Sequence, residues 1–370
     1  MKTKVAQFIG STGDGGAERV ALEYATHLNK EQFESIIIVR RRLRGTANDR
    51  LFEQSGIKIY EIYKHHSLLW KILQKPFDDW YTSRSILRIL QREHVDVLHI
   101  HLELLKFVLL IRKRIDGVKL FFTAHSEPSM MFSGRWNIER YSAKKLISHN
   151  NLVLIALHQA MKNELSTLFQ NARIEVIHNG IDIEKYVNVT TTKCEVRRQL
   201  GIPEDAFVIG HVGRFVPPKN HSQLVDMFIK LKSVRRNSFL FMIGSGVLKE
   251  EIITRLNQNN FDGSYLVLSH RDDVPNLLQA MDVFVFPSIY EGLSIALIEA
   301  QIAGLRCVVS DRIKNEAIVT EGNSMLSLSD TEEEWCSAIV YGAHLVKAGL
   351  SIDSYNMNVI IKGLEKLYLE

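Results

Sequence analysis

Apolar residues recur along this chain in short blocks, separated by longer amphipathic stretches. Val5–Gly10, Ser35–Val39, Lys58–Ile62, Val95–Ile100, Val118–Thr123, Leu152–Ala156 and Ile174–His178 read as strands. The stretches between them, such as about Ala17 to Leu28, read as helices. Repeated strand–helix units predict a parallel sheet with helices on both faces. The pattern pauses at His178-Asn179-Gly180-Ile181-Asp182, a turn cluster, and at a short helix over Lys193–Leu200. It then restarts with strands at Phe207–Gly210, Phe239–Ile243, Tyr265–Leu268, Asp282–Phe286 and Arg306–Ser310. Helices are expected from about His221, over 274–281 behind an Asp272-Asp273 cap, over Leu293–Ala303 and Thr331–Lys347, and finally at about Tyr355–Leu367. The fold class is therefore α/β, with two doubly wound domains, 1–185 and 205–350, and a boundary at about 185–204. No internal repeat stands out beyond this twofold pattern.

Composition narrows the function classes. The 370 residues, 46% hydrophobic and 24% charged, suit a globular protein of two ordinary domains. A net charge of +4 gives no reason to expect nucleic acid. Cys194, Cys307 and Cys336 lie far apart and form no C-x-x-C pair, which argues against a disulfide framework or a zinc site. No apolar run reaches membrane-spanning length, and because the chain opens directly on a predicted strand no signal peptide is expected. The expected location is the cytoplasm, with a peripheral contact at the inner membrane face. That contact is read from Leu68 to Glu93, where Trp70, Phe77, Trp80 and Tyr81 alternate with Lys71, Lys75, Arg84, Arg88 and Arg92; Arg112-Lys113-Arg114 adds to it. The plainer reading is helices packed on the sheet with a solvated basic face.

Candidate chemistry sits at the ends of the predicted strands. The first strand enters Ser11-Thr12-Gly13-Asp14-Gly15-Gly16 and then a helix, a phosphate-cradling arrangement. Gly10 and Gly13 do not fit G-x-G-x-x-G, and Arg40-Arg41-Arg42 stand where an NAD site needs an acid; arginines there would suit only an NADP site. His99 and His101 end one strand and His125 the next. His99 and His101 would share a face, and His99, deeper in the strand, reads as structural. Arg214 and Lys219 flank Pro217-Pro218 ahead of a helix, a fork and a point charge for phosphate oxygens. Gly244-Ser245-Gly246 reads as a close-approach turn. Glu291 and Glu299 frame a strand–turn–helix with Gly292 at the turn. Glu299, one of very few charges between 282 and 304, is suited to bind a ribose diol.

The E-G-L-x5-E stretch from Glu291 to Glu299, after a strand ending F-P-S, resembles the signature of the retaining GT-B glycosyltransferases of the large family four. G-G-A-E-R at 15–19, T-A-H-S around His125, N-G-I-D at 179–182 and G-R-F-x-x-x-K over 213–219 are similar to further motifs of that family, in the same order along nearly the whole chain. The resemblance implies two Rossmann-like domains facing across a cleft, with a last helix (about 352–370) crossing back to the first. It implies transfer of a hexosyl or N-acetylhexosaminyl unit from a nucleotide sugar, with UDP expected, to a glycan or lipid-linked acceptor in capsule or exopolysaccharide synthesis. The roles implied are catalytic for His125, Arg214, Lys219 and Glu291. Donor binding falls to Gly15, Gly16, His270, Arg271, Gly292, Leu293, Ser294 and Glu299 as well, and the acceptor side to His101 and Asn179. No metal and no cofactor is expected, since two cations and two helix N-termini can meet the diphosphate and no D-x-D arrangement is present. The alternatives are a nucleotide-sugar epimerase or hydrolase on the same fold, or a catalytically silent partner of an active transferase.

Overall fold

The computed structural model describes residues 2–13, 15–63, 77–134, 136–269, 271–291 and 293–370. The chain divides into two units, Met1–Gly180 with Met357–Glu370, and Ile181–Asn356. His270 and Gly292, and Trp70, Lys71 and Lys75 of the basic aromatic stretch, lie outside the described residues.

The first unit holds a seven-stranded sheet. Its strands are β1 (Thr3–Ser11), β2 (Phe33–Arg41), β3 (Lys58–Tyr63), β4 (Val97–His101), β5 (Lys119–Thr123), β6 (Val153–Ala156) and β7 (Ile174–Val176). They run in the order β3-β2-β1-β4-β5-β6-β7, all pairs parallel. Side chains alternate across the sheet as a period of two requires. Ala6, Phe8, Leu98, Ile100 and Phe122 enter one apolar core, which the helix Asp78–Glu93 closes with Ile86, Leu87 and Leu90. On the other face, Val5, Val97 and Phe121 pack beneath Tyr24 of the helix Gly16–His27 and beneath Ile360, Ile361, Leu364 and Tyr368 of the last helix, Met357–Leu369. That last helix approaches closely at Gly180, where a Cβ would stand 3.1 Å from the Met357 backbone.

The second unit repeats the topology. β8 (Phe207–Val212), β9 (Ser238–Ile243), β10 (Tyr265–Leu268), β11 (Val283–Phe286), β12 (Arg306–Ser310), β13 (Asn323–Leu326) and β14 (Leu345–Val346) run in the order β10-β9-β8-β11-β12-β13-β14. Only the last pair is antiparallel. The expected helix over Thr331–Lys347 is shorter, Glu332–Tyr341, because Gly342 takes a left-handed φ of 73° and ends it. The freed chain then supplies β14, which periodicity had not suggested. The helix expected over Leu293–Ala303 starts later, at Ile295. Asp273 occupies the N-cap position of Val274–Leu278 without capping it, since its carboxylate is held by Arg271 at 2.6 and 2.7 Å.

In both units the strand order reverses beside the first strand, between β1 and β4 and between β8 and β11. Open α/β sheets leave a crevice at such a point, outside the carboxyl ends of the strands. The candidate residues gather at these two edges.

Candidate active site

In the second unit, β8 ends and the chain turns through Gly213 to Asn220 before the helix His221–Val234. The turn is clamped by its neighbour. Gly213 N–H bonds Ile243 O at 3.0 Å, Phe215 N–H bonds Ser245 O at 2.9 Å, and Leu248 N–H bonds Phe215 O at 3.0 Å. A Cβ on Gly244 or Gly246 would collide with the carbonyl of Gly213 or Phe215, so glycine is what permits the approach. The clamp fixes Arg214 and Lys219 at its two ends.

Lys219 is largely buried. Its Nζ lies 2.6 Å from Glu291 Oε1 and 4.6 Å from the centroid of the Phe286 ring. Burial pushes the Lys219 ammonium below its ordinary range, Glu291 pulls it back, and the neighbouring Arg214 lowers it further. Arg214 itself is exposed, and its guanidinium has no protein partner among the described residues. A cation with no partner beside a lysine–glutamate pair makes a local excess of positive charge, as an anionic ligand requires. Unpaired polar atoms accompany it. His211 donates Nδ1–H to Val285 O at 2.9 Å, which leaves Nε2 buried and unpaired against Gly213. Both ring nitrogens of His221, and the hydroxyls of Ser288 and Ser294, are likewise buried without a partner. Leu293 is half-buried just ahead of Ser294, which precedes the helix Ile295–Ile302.

Glu299 stands in the second turn of that helix. It accepts a short hydrogen bond from the Tyr186 hydroxyl, on the short helix Glu184–Val187. Tyr186 was not among the residues expected from sequence. Arg271 is exposed and paired with Asp273.

In the first unit, Gly15 caps the helix Gly16–His27 without a side chain. The Glu18 carboxylate folds back over this N-terminus: it accepts from Ser11 Oγ at 3.4 Å, and a Cβ on Gly15 would strike it. The Glu18 carboxyl thus lies over the N-terminus where the sequence suggested a phosphate, and burial pushes it above its ordinary range. His101 ends β4 fully buried, followed by Leu102 in the left-handed region at φ 64°. His125 follows β5 and is half-buried, its Nε2 2.9 Å from His101 Nδ1. Beside them a cavity of about 360 Å³ is lined by Gly10, Leu102, Glu103, Leu104, Ser126 and Met131. Asn179 is buried, with an unpaired Oδ1. Among the described residues no group of three or more His, Cys, Asp or Glu side chains could hold a metal ion. No helix among them is long and apolar enough to cross a membrane.

Two seven-stranded, mostly parallel sheets in this order define the GT-B fold. The chain aligns over its full length with the crystal structure of Anabaena HepE in complex with UDP and glucose, at a TM-score of 0.77 and 18% identity, covering 100% of both chains. Residues 14–185 match the model of glycosyltransferase family 4, and residues 192–335 that of the glycosyl transferases group 1. The chain belongs to this glycosyltransferase family. A putative glycosyltransferase, EpsF of Bacillus subtilis, is 30% identical over 250 residues, 66% of this chain. The match spans just under two thirds of EpsF, 65% of its length. An Escherichia coli UDP-Gal:alpha-D-GlcNAc-diphosphoundecaprenol alpha-1,3-galactosyltransferase is 28% identical over 82% of this chain and 78% of its own. The capsular polysaccharide biosynthesis glycosyltransferase CapH of Staphylococcus aureus is 24% identical over 99% of this chain and 98% of its own.

Proposed function

We propose that the protein transfers a sugar from a UDP-linked donor to a hydroxyl of a glycan or lipid-linked oligosaccharide, in surface polysaccharide biosynthesis, with retention of anomeric configuration and without a metal. The observation that carries this reading is the Lys219–Glu291 pair beside the unpaired Arg214, on the carboxyl edge of β8 and β11. The UDP and UDP-glucose held by HepE, and the names of the relatives, support the donor and acceptor classes.

The roles follow from charge. Arg214 and Lys219 take the diphosphate, whose negative charge grows as the sugar departs. Lys219 changes partner from Glu291 to phosphate, and Glu291 turns to the transferred sugar. Glu299, oriented by Tyr186, accepts from the ribose hydroxyls. His125 meets a hydroxyl of the sugar substrate. The bond from the anomeric carbon to the leaving phosphate breaks and the bond to the acceptor oxygen forms on the same face. The acceptor's proton passes to the leaving phosphate, so no protein base is required. The exposed Trp80, Arg84 and Arg88 of the helix Asp78–Glu93 give the first unit a surface suited to the inner membrane face.

The test is release of free nucleoside diphosphate from a panel of UDP-, GDP-, ADP- and TDP-sugars, with and without EDTA. Slow release from a UDP-sugar, indifferent to EDTA, is expected. Loss of release with EDTA would remove the metal-free mechanism, and recovery of an isomerised donor sugar would replace transfer by epimerisation. Glu299→Ala is expected to weaken UDP binding about tenfold, the scale of a hydrogen bond to a charged group. Titration calorimetry that gave wild-type affinity would remove the ribose assignment.

A further inference from the structure

On the sheet face beneath the last helix, six polar side chains join in one hydrogen-bonded chain. His99 Nε2 lies 2.7 Å from Thr123 Oγ1, and His99 Nδ1 lies 2.6 Å from the Tyr368 hydroxyl. Gln7 Nε2 donates to the same hydroxyl at 3.3 Å, and Gln7 Oε1 lies 2.8 Å from His101 Nε2. His101 Nδ1 meets His125 Nε2 at 2.9 Å. Every member but His125 is fully buried. The Tyr24 ring covers His99 and His101, at centroid distances of 5.9 and 6.2 Å. Burial holds all three imidazoles far below their ordinary range, so each is neutral, with one donor and one acceptor nitrogen.

The chain can run in two directions, and the 2.6 Å separation, which suits an O–H donor better than an N–H donor, favours the one in which Tyr368 donates to His99 Nδ1. Its oxygen then accepts from the Gln7 N–H, and the amide presents its oxygen to His101. His101 must carry its proton on Nε2, and its bare Nδ1 accepts from His125 Nε2–H. His125 is left with an unprotonated Nδ1, which has no protein partner among the described residues. Turning the Gln7 amide over would reverse the links from Gln7 to His125 and present an N–H at His125 Nδ1 instead.

We propose that Tyr368, acting through Gln7 and His101, is a positioning residue that locks His125 as a hydrogen-bond acceptor at Nδ1, so that this position reads a hydroxyl of the sugar substrate and disfavours an anionic oxygen. The consequence for substrate rests on the function proposed above; the lock itself does not. Tyr368 is far from His125 in sequence and lies on the last helix, so docking of that helix and the hydrogen-bonding character of His125 are linked through one side chain.

The experiment uses the full chain labelled with 15N-histidine. Long-range proton–nitrogen spectra distinguish a bare ring nitrogen from a protonated one, and His125→Gln assigns the signals. Wild type is expected to show His125 protonated at Nε2 only. Tyr368→Phe removes the hydroxyl that orders the amide, and Gln7→Leu cuts the chain without touching the last helix. In both, His125 is expected to lose its single tautomer while circular dichroism stays that of wild type, and turnover is expected to fall up to about 100-fold with donor KM changed less than about twofold. A protonated Nδ1 in the wild type would overturn the direction of the chain. A His125 tautomer unchanged in either variant that folds would overturn the lock. Absence of nucleotide release from every donor would sink the proposed function instead, leaving the spectra to decide on the lock.

Discussion

Lys219→Ala is expected to lower turnover by about 10²–10³-fold, the cost of removing one preorganised charge from a developing anion. Donor affinity is expected to fall far less, because Arg214 remains to meet the ground-state diphosphate and only interactions that strengthen in the transition state govern kcat. The setting of Lys219 makes the loss large. Its ammonium is mostly enclosed, with Glu291 at 2.6 Å and the Phe286 ring at 4.6 Å, so its field is little screened by water. A competing account is that Lys219 only holds Glu291 in place. On that account Lys219→Ala and Glu291→Ala would cost the same and the double variant would cost no more. If each residue meets a different part of the donor, the double variant is expected to be slower than either single one. Initial rates and calorimetric donor affinities for the three variants decide this, and a Lys219→Ala rate within a few-fold of wild type would exclude the phosphate role.

What was legible in the sequence depended on how local each signal is. β10 and β12 have the bounds their apolar blocks suggested, and so has the helix Lys193–Leu200, where Thr192 and Glu195 form a reciprocal capping box three residues apart. β13 was not legible. It is short and begins with the polar Asn323, whose side chain bonds Cys307 N–H and Gln301 across the fold. The candidate site divides in the same way. Arg214 and Lys219 lie in one turn, and Glu291 and Glu299 on either side of another, so residue types and spacing suffice to single them out. Tyr186 against Glu299 joins residues more than a hundred positions apart, and Tyr368 with Gln7 joins the two ends of the chain. No spacing within one segment carries such pairs; they follow only from which strands lie side by side. At Gly15 and Gly16 the local signal was again only part of the picture. The glycine turn and helix were legible, but not that Glu18, three residues on, reaches back to occupy the turn.

Asp282→Ala is expected to destabilise the second unit by about 3–5 kcal/mol, the cost of leaving a buried charge without its partner. Asp282 sits one residue before β11. Its Oδ2 accepts from Arg197 at 2.7 Å and from Val208 N–H at 2.7 Å, and its Oδ1 lies 2.8 Å from Lys193 Nζ. Arg197 is buried, with its remaining donors on the carbonyls of Ala280, Glu204 and Ala206. Those carbonyls satisfy its geometry but do not neutralise it, so alanine at 282 strands the cation. Lys193 is half-exposed, and Lys193→Ala is expected to cost no more than about 1 kcal/mol. For a unit of this size the Asp282 loss corresponds to a fall in Tm of roughly 10 °C. The pH dependence has a definite sign. Burial alone would raise the Asp282 carboxyl, but Lys193, the Val208 amide and Arg197 outweigh it and hold the group below its ordinary value. A depressed carboxyl contributes stability that is present above its unfolded value of about 3.9 and disappears as pH falls through the folded value. The wild type and Asp282→Ala should therefore begin to converge in Tm below about pH 4 and meet only below the depressed folded value. Asp282 lies at the amino end of the strands whose carboxyl ends carry Lys219 and Glu291, so the variant should keep wild-type turnover well below its melting temperature. A Tm within about 2 °C of wild type at neutral pH would show that Arg197 finds its counter-charge elsewhere. Reduced turnover at low temperature would show that the two ends of these strands are not independent.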